Sequence, residues 1–97
     1  MESGSIICLV EKEIVSTLHF PKDDVILGIQ ERKERDAKLR QALSLGNIEH
    51  NKVKIIFQDI EGTKQVETTI WGITDKSIIL KKGSVIPIHR ITKVTII

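Results

Sequence analysis

The stretch KVKIIFQDIEGTKQVETTIWGITDKSIILKKGSVIPIHRITKVTII, Lys52 to Ile97, decides the fold. It is β-patterned almost throughout, and Gly62, Gly72, Gly83 and Pro87 cut it into short pieces. Those pieces are VKIIFQD (Val53 to Asp59), KQVETTIWGIT (Lys64 to Thr74), SIIL (Ser77 to Leu80), SVIPIH (Ser84 to His89) and ITKVTII (Ile91 to Ile97). Ile and Val dominate them, which suits a pleated, half-buried surface. Five such strands in an open sheet would expose two rows of unpaired amides. The pattern therefore predicts a small, strongly bent five-stranded barrel.

The register within the pieces can be read as well. Val53, Ile55 and Phe57 fall on one face of the first strand, and Lys54, Ile56 and Gln58 on the other. In the long second strand Val66, Thr68 and Ile70 alternate with Glu67, Thr69 and Trp71, and Gly72 is the expected bend. Pro87 has no amide hydrogen and belongs at an edge or a bulge. Lys81-Lys82-Gly83 reads as a basic turn, and His89-Arg90 as the tight link before the last strand.

Working outward, residues 22–47 predict a helix. Gln30 to Leu45 contains ERKERDAKLRQAL, dense in strong helix formers, and Gly46-Asn47 reads as a left-handed stop. Asp23 and Asp24 resemble N-cap chemistry. Leu39, Ala42 and Leu43 share a face, with Leu45 beside them, while Glu31–Arg35 and Glu34–Lys38 have i,i+4 spacing. Residues 1–21 form an N-terminal extension. Its apolar runs SIICLV and IVSTLHF flank Glu11-Lys12-Glu13 and suggest a β-hairpin, with a helix as the competing reading. The whole is mainly β with one helix, and residues 48–97 form the barrel of a single domain.

Composition narrows the function classes. The 97 residues include 29% charged and 40% hydrophobic positions, an ordinary globular balance. The aromatics are only Phe20, Phe57 and Trp71. The net charge is +2, and it is uneven: residues 47–97 carry eight basic side chains against five acids. A single cysteine, Cys8, excludes an intrachain disulfide and fits a reduced, cytoplasmic setting. No apolar run approaches the roughly 20 residues of a membrane span. Glu2 and the Glu11-Lys12-Glu13 break are unlike a signal peptide.

The helix, the VKIIF strand, the Gly turn, the long bent strand, DKSIILK and IHRITKV together resemble the Sm-like family, and within it the Hfq-like bacterial RNA chaperones. In that family a strand–Asp–x–x–apolar–apolar–apolar–Lys segment precedes a Lys-His pair and an apolar final strand. Asp75, Ile78, Ile79, Leu80 and Lys81 match the first segment. His89 matches the histidine, with Arg90 after it and Ile91 and Val94 in the closing strand. The resemblance covers about half the chain and implies an oligomeric barrel that binds RNA. Three positions depart from it: Ser77 stands for a base-stacking aromatic, Ile88 for the lysine before the histidine, and Thr69 for a glycine. The chain is also similar to small SH3-like barrel domains of bacteria.

No catalytic constellation is legible. Cys8, His19, His50 and His89 have no metal-ligand spacing, and Gly62-Thr63-Lys64 lacks the length of a phosphate loop. The expectation is a non-catalytic binding module without cofactor or metal. Lys81, Lys82, His89 and Arg90 are the candidate nucleic-acid contacts, since basic groups on turns position phosphates without choosing sequence. Trp71, Val94 and Ile96 are candidate interface residues: a lone tryptophan suits a partner contact, and a bare apolar edge strand invites strand addition between subunits. Self-association is expected, with RNA or a protein as further partner and no membrane. A protein-interaction module without nucleic-acid binding is the alternative.

Overall fold

The computed structural model describes residues 7–49 and 51–97. Seven strands in two sheets surround one core, and a long helix closes one side. In chain order the elements are β1 (Cys8–Val10), a 3-10 helix (Lys12–Thr17), α1 (Ile29–Glu49), β2 (Val53–Gln58), β3 (Thr63–Thr68), β4 (Ile70–Ile73), β5 (Ser77–Leu80), a 3-10 turn (Lys81–Gly83), β6 (Val85–Pro87), a second such turn (Ile88–Arg90) and β7 (Ile91–Ile96). One sheet has the order β1-β3-β2-β7 and the other β4-β5-β6. β6 and β7 do not pair, so the sheets do not close as one hydrogen-bonded cylinder.

The period-2 pattern sets the inward faces. Val53, Ile55 and Phe57 of β2 are fully buried, as are Ile78 and Leu80 of β5. β3 continues into β4 through the buried Thr69, so one run of chain serves both sheets. The expected bend at Gly72 therefore falls three residues earlier, at Thr69. Near Gly72 lies a bulge instead: Ile70 faces Leu80 but Gly72 faces Ile79, which leaves Trp71 as the extra residue.

Helix α1 starts at Ile29 and runs through Gly46 to Glu49, so Gly46-Asn47 does not stop it. Arg35, Leu39, Ala42 and Gly46 make the buried stripe. Gly46 is needed there for closeness: a Cβ at this position would lie 2.9 Å from the Ile70 carbonyl oxygen. A glycine read as punctuation is thus a packing residue between helix and sheet. Asp24 does not cap α1. Its Oδ1 accepts the Ile26 N–H at 2.8 Å, an Asx turn ahead of the helix.

The N-terminal hairpin is not formed. β1 pairs parallel with β3, Cys8 opposite Lys64 to Val10 opposite Val66, and Lys12–Thr17 is a 3-10 helix whose Val15 enters the core. A turn without Gly or Asn cannot reverse the chain tightly, and β3 offers an open edge instead. Ser5 and Ile6 of the expected hairpin lie outside the described residues. No helix is long and apolar enough to cross a membrane.

Candidate functional site

Residues 21–26 form a strap between the 3-10 helix and α1, and basic side chains from distant elements hold it down. Arg90 is 6% exposed. Its Nε donates to the Gln58 carbonyl (3.0 Å), and its Nη1 to the Asp23 carbonyl (2.9 Å) and Asp23 Oδ1 (3.2 Å). His89 Nε2 lies 2.9 Å from the Pro21 carbonyl, which only accepts, so that nitrogen carries the proton. The Val25 N–H donates back to the His89 carbonyl at 2.9 Å.

Asp24 makes the second clamp. Its two carboxylate oxygens take Arg35 Nη1 and Nη2 at 2.9 and 3.0 Å, and Arg32 Nε lies 3.3 Å from Oδ2. Burial pushes the Asp24 carboxyl up, but the Arg35 guanidinium and the Ile26 amide outweigh that and hold it below its ordinary value. Arg35 thus turns to Asp24 rather than to Glu31, its expected i,i+4 partner. Beside this clamp a cleft of about 560 Å³ is lined by residues of both signs, Arg32, Asp36, Asp75 and Lys76 among them.

These bonds locate the sequence-derived residues. His89 and Arg90 sit together, but their polar atoms serve the strap, so Arg90 presents no bare guanidinium to a phosphate. Val94 is buried in the core and Ile96 packs partly against it, so neither offers its side chain as an open contact surface. Lys81 and Lys82 are exposed. Lys82 stands at φ 71° and ψ 10°, the left-handed region, which tightens the turn.

Trp71 is 53% exposed, raised by the bulge in β4. The pairing register sets Gly72 beside Ile79, and Ile79 beside Val85, on the outer face of the second sheet. A Cβ on Gly72 would touch Ile79 Cδ1 at 3.4 Å, which confirms the shared face. The Lys81 N–H donates to the Thr69 carbonyl at 3.0 Å, which fixes the basic turn at the Trp71 end of β4. The exposed Trp71, the outer Ile79–Val85 row and the exposed lysine turn thus belong to one sheet, with the turn tied to the start of β4 through its backbone. The β-bulge that presents Trp71 has no sequence signature beyond Gly72.

A third polar cluster is structural. Asp59 Oδ1 accepts the Glu61 and Gly62 amides at 3.0 Å each, and Oδ2 accepts the buried Lys64 ammonium at 2.8 Å. This fixes the β2–β3 hairpin. Among the described residues no three acidic, histidine or cysteine side chains gather to hold a metal. No protein-family model, curated protein or solved structure matches the chain.

Proposed function

We propose that the chain is a non-catalytic, self-associating binding module of the SH3-like or Sm-like small-barrel kind, and that its ligand surface is the Trp71 face with Lys81 and Lys82. The ligand is single-stranded RNA. The observation that carries this reading is the exposed, bulge-borne Trp71 on the strand to which the exposed Lys81-Lys82 turn is bonded through the Thr69 carbonyl. Bases stack on an aromatic face without regard to sequence, at about 1–3 kcal/mol each, while ammonium groups track the phosphates. His89 and Arg90 hold the strap rather than touching RNA. An exposed Cys8 suits a reduced, cytoplasmic setting.

Trp71 is the chain's single tryptophan and serves as its own reporter. Titration with a short single-stranded oligonucleotide at low salt should quench its fluorescence, with affinity falling as salt rises. Absence of both quenching and a mobility shift at low salt removes the RNA reading. The second reading is a protein-interaction module without nucleic-acid binding. The net charge of only +2 and the apolar Ile79–Val85 row favour it. A lysate partner lost on Trp71→Ala, with no RNA affinity, would select that reading.

A further inference from the structure

We infer that two copies of the chain join edge to edge through β7, antiparallel, around a two-fold axis at Thr95. The inference rests on the self-association part of the proposed function and not on RNA. It starts from where each strand spends its backbone groups. The Asp59 N–H donates to the Gly62 carbonyl at the hairpin, so alternation turns Val53, Ile55 and Phe57 toward β3. Lys54 and Ile56 are left for β7. The Ile97 N–H donates to the Lys52 carbonyl, which gives the same phase from the other side.

Lys93 and Thr95, the register partners of Ile56 and Lys54, therefore bond inward to β2. The N–H and C=O groups of Val94 and Ile96 point to the open edge. Among the described residues no group accepts from or donates to them. Only the Ile91 carbonyl is taken, by Arg35 Nη1 at 3.2 Å. Beyond the edge lies an open groove of about 480 Å³ between β7 and α1, with Glu34 on its helix wall and Lys93 on its strand wall.

The other edges are poorer templates: at β4 the helix α1 approaches the Ile70 backbone through Gly46. Ile88 N–H donates to Lys76 O and Leu80 N–H to Ser84 O, so the outward groups of β6 belong to Val85 and Pro87. Pro87 has no N–H to give. The Ser84 hydroxyl donates to the Lys12 carbonyl at 3.0 Å, which brings the 3-10 helix against β6. β1 is three residues long. A head-to-tail ring needs two good, different edges, whereas a two-fold pair uses one good edge twice.

The antiparallel register about Thr95 is self-consistent. Val94 of each copy meets the partner's Ile96, and each of these two pairs exchanges two hydrogen bonds, four in all. Thr95 faces the partner's Thr95 across a non-hydrogen-bonded position, a favourable cross-strand pair. Lys93 faces the partner's Ile97, so no like charges are opposed, and its stem covers an isoleucine that is 59% exposed. Joining the four-stranded sheets removes the open edge from both copies.

The test uses the full chain in size exclusion coupled to light scattering, with sedimentation as a check. A dimer is expected at tens of micromolar. Thr95→Glu would face its own chain's Lys54, a favourable pair within one copy, but would set two carboxylates against each other at the axis. It should raise the dimer dissociation constant at least tenfold without lowering the melting temperature of the monomer. The double variant Cys8→Ser/Thr95→Cys should oxidise to a covalent dimer, because a non-hydrogen-bonded antiparallel pair has the Cα spacing a disulfide needs. A monomer at those concentrations, or a larger ring indifferent to Thr95→Glu, overturns the inference. A monomer that still binds RNA overturns this inference alone, and a Thr95-dependent dimer with no RNA affinity overturns the RNA reading alone.

Discussion

Two basic turns end successive strands of the second sheet, and their side chains go opposite ways. Lys81–Gly83 follows β5 and leaves both ammonium groups in water, while Ile88–Arg90 follows β6 and buries its guanidinium. The difference lies in what each turn meets. Arg90 emerges where the Gln58 and Asp23 carbonyls converge, and a planar fork of donors can satisfy both. The Lys81 and Lys82 ammonium groups make no hydrogen bond to buried carbonyls among the described residues. The acid near Lys82 is the exposed Glu13, whose carboxyl is lowered first by its own backbone hydrogen bond and by Lys12, with Lys82 adding to it. A basic residue is drawn inward where the backbone supplies unmet acceptors, and otherwise it stays available to a ligand.

The largest expected effect lies beneath the strap. Asp24→Ala would leave the Arg35 guanidinium buried without its carboxylate and should lower stability by about 3 kcal/mol, read by urea unfolding. Arg90→Ala comes next, at about 2 kcal/mol, because it strands two carbonyls. Arg90→Lys should recover only part of that, since one ammonium cannot span both. If Arg90→Ala left stability intact and weakened RNA binding instead, the contrast between the turns would be broken.

Acid should sharpen the same contrast. Asp24 and Asp59 are both held below the ordinary carboxylate value, Asp59 because the Lys64 ammonium and two amides outweigh its burial. Depressed carboxyls contribute stability that is fully present above the unfolded-state value near pH 4 and lost as pH falls through their folded values. The Lys64 ammonium, raised by its bond to Asp59, loses its contribution only at the alkaline end, as pH rises through its folded value. Acid unfolding followed by circular dichroism should therefore persist in Lys81→Ala/Lys82→Ala. It should be shallower in Asp59→Asn, whose stability no longer depends on that proton.

The outer turn should respond in binding rather than in folding. Lys81→Ala/Lys82→Ala is expected to change stability by less than about 0.5 kcal/mol, and to flatten the salt dependence of RNA affinity by about one to two phosphate contacts. Lys82→Gly, which relieves the left-handed φ of 71°, should raise stability only slightly, by about 0.5 kcal/mol, read as a small rise in melting temperature.

Much of this architecture was legible from local rules. Gly62, Gly83 and Pro87 fall at the strand ends, and the alternation of Val53, Ile55 and Phe57 is the alternation of the core. The run Gln30 to Leu45 lies within α1. Legibility failed where one residue admits two readings. Gly46 has the chemistry of a helix stop, but only the approach of Ile70 reveals why it lies inside the helix. Asp23-Asp24 has the chemistry of a cap, but its partners are Arg90, 67 residues away, and Arg35. Arg90 and Lys82 are both basic residues in turns, and only the tertiary acceptors separate them. Trp71 owes its exposure to a register slip that no side-chain pattern encodes.

The run from Thr63 to Ile73 is one piece of chain with a foot in each sheet. The crossover at Thr69 ties the layers along one line, and the single core that both cover, with Phe57 and Val66 from one and Ile70, Ile78 and Leu80 from the other, keeps them from opening about it. Slow amide exchange should accordingly be shared by β3 and β4 as one cooperative block, with fraying confined to β1 and to the tip of β6.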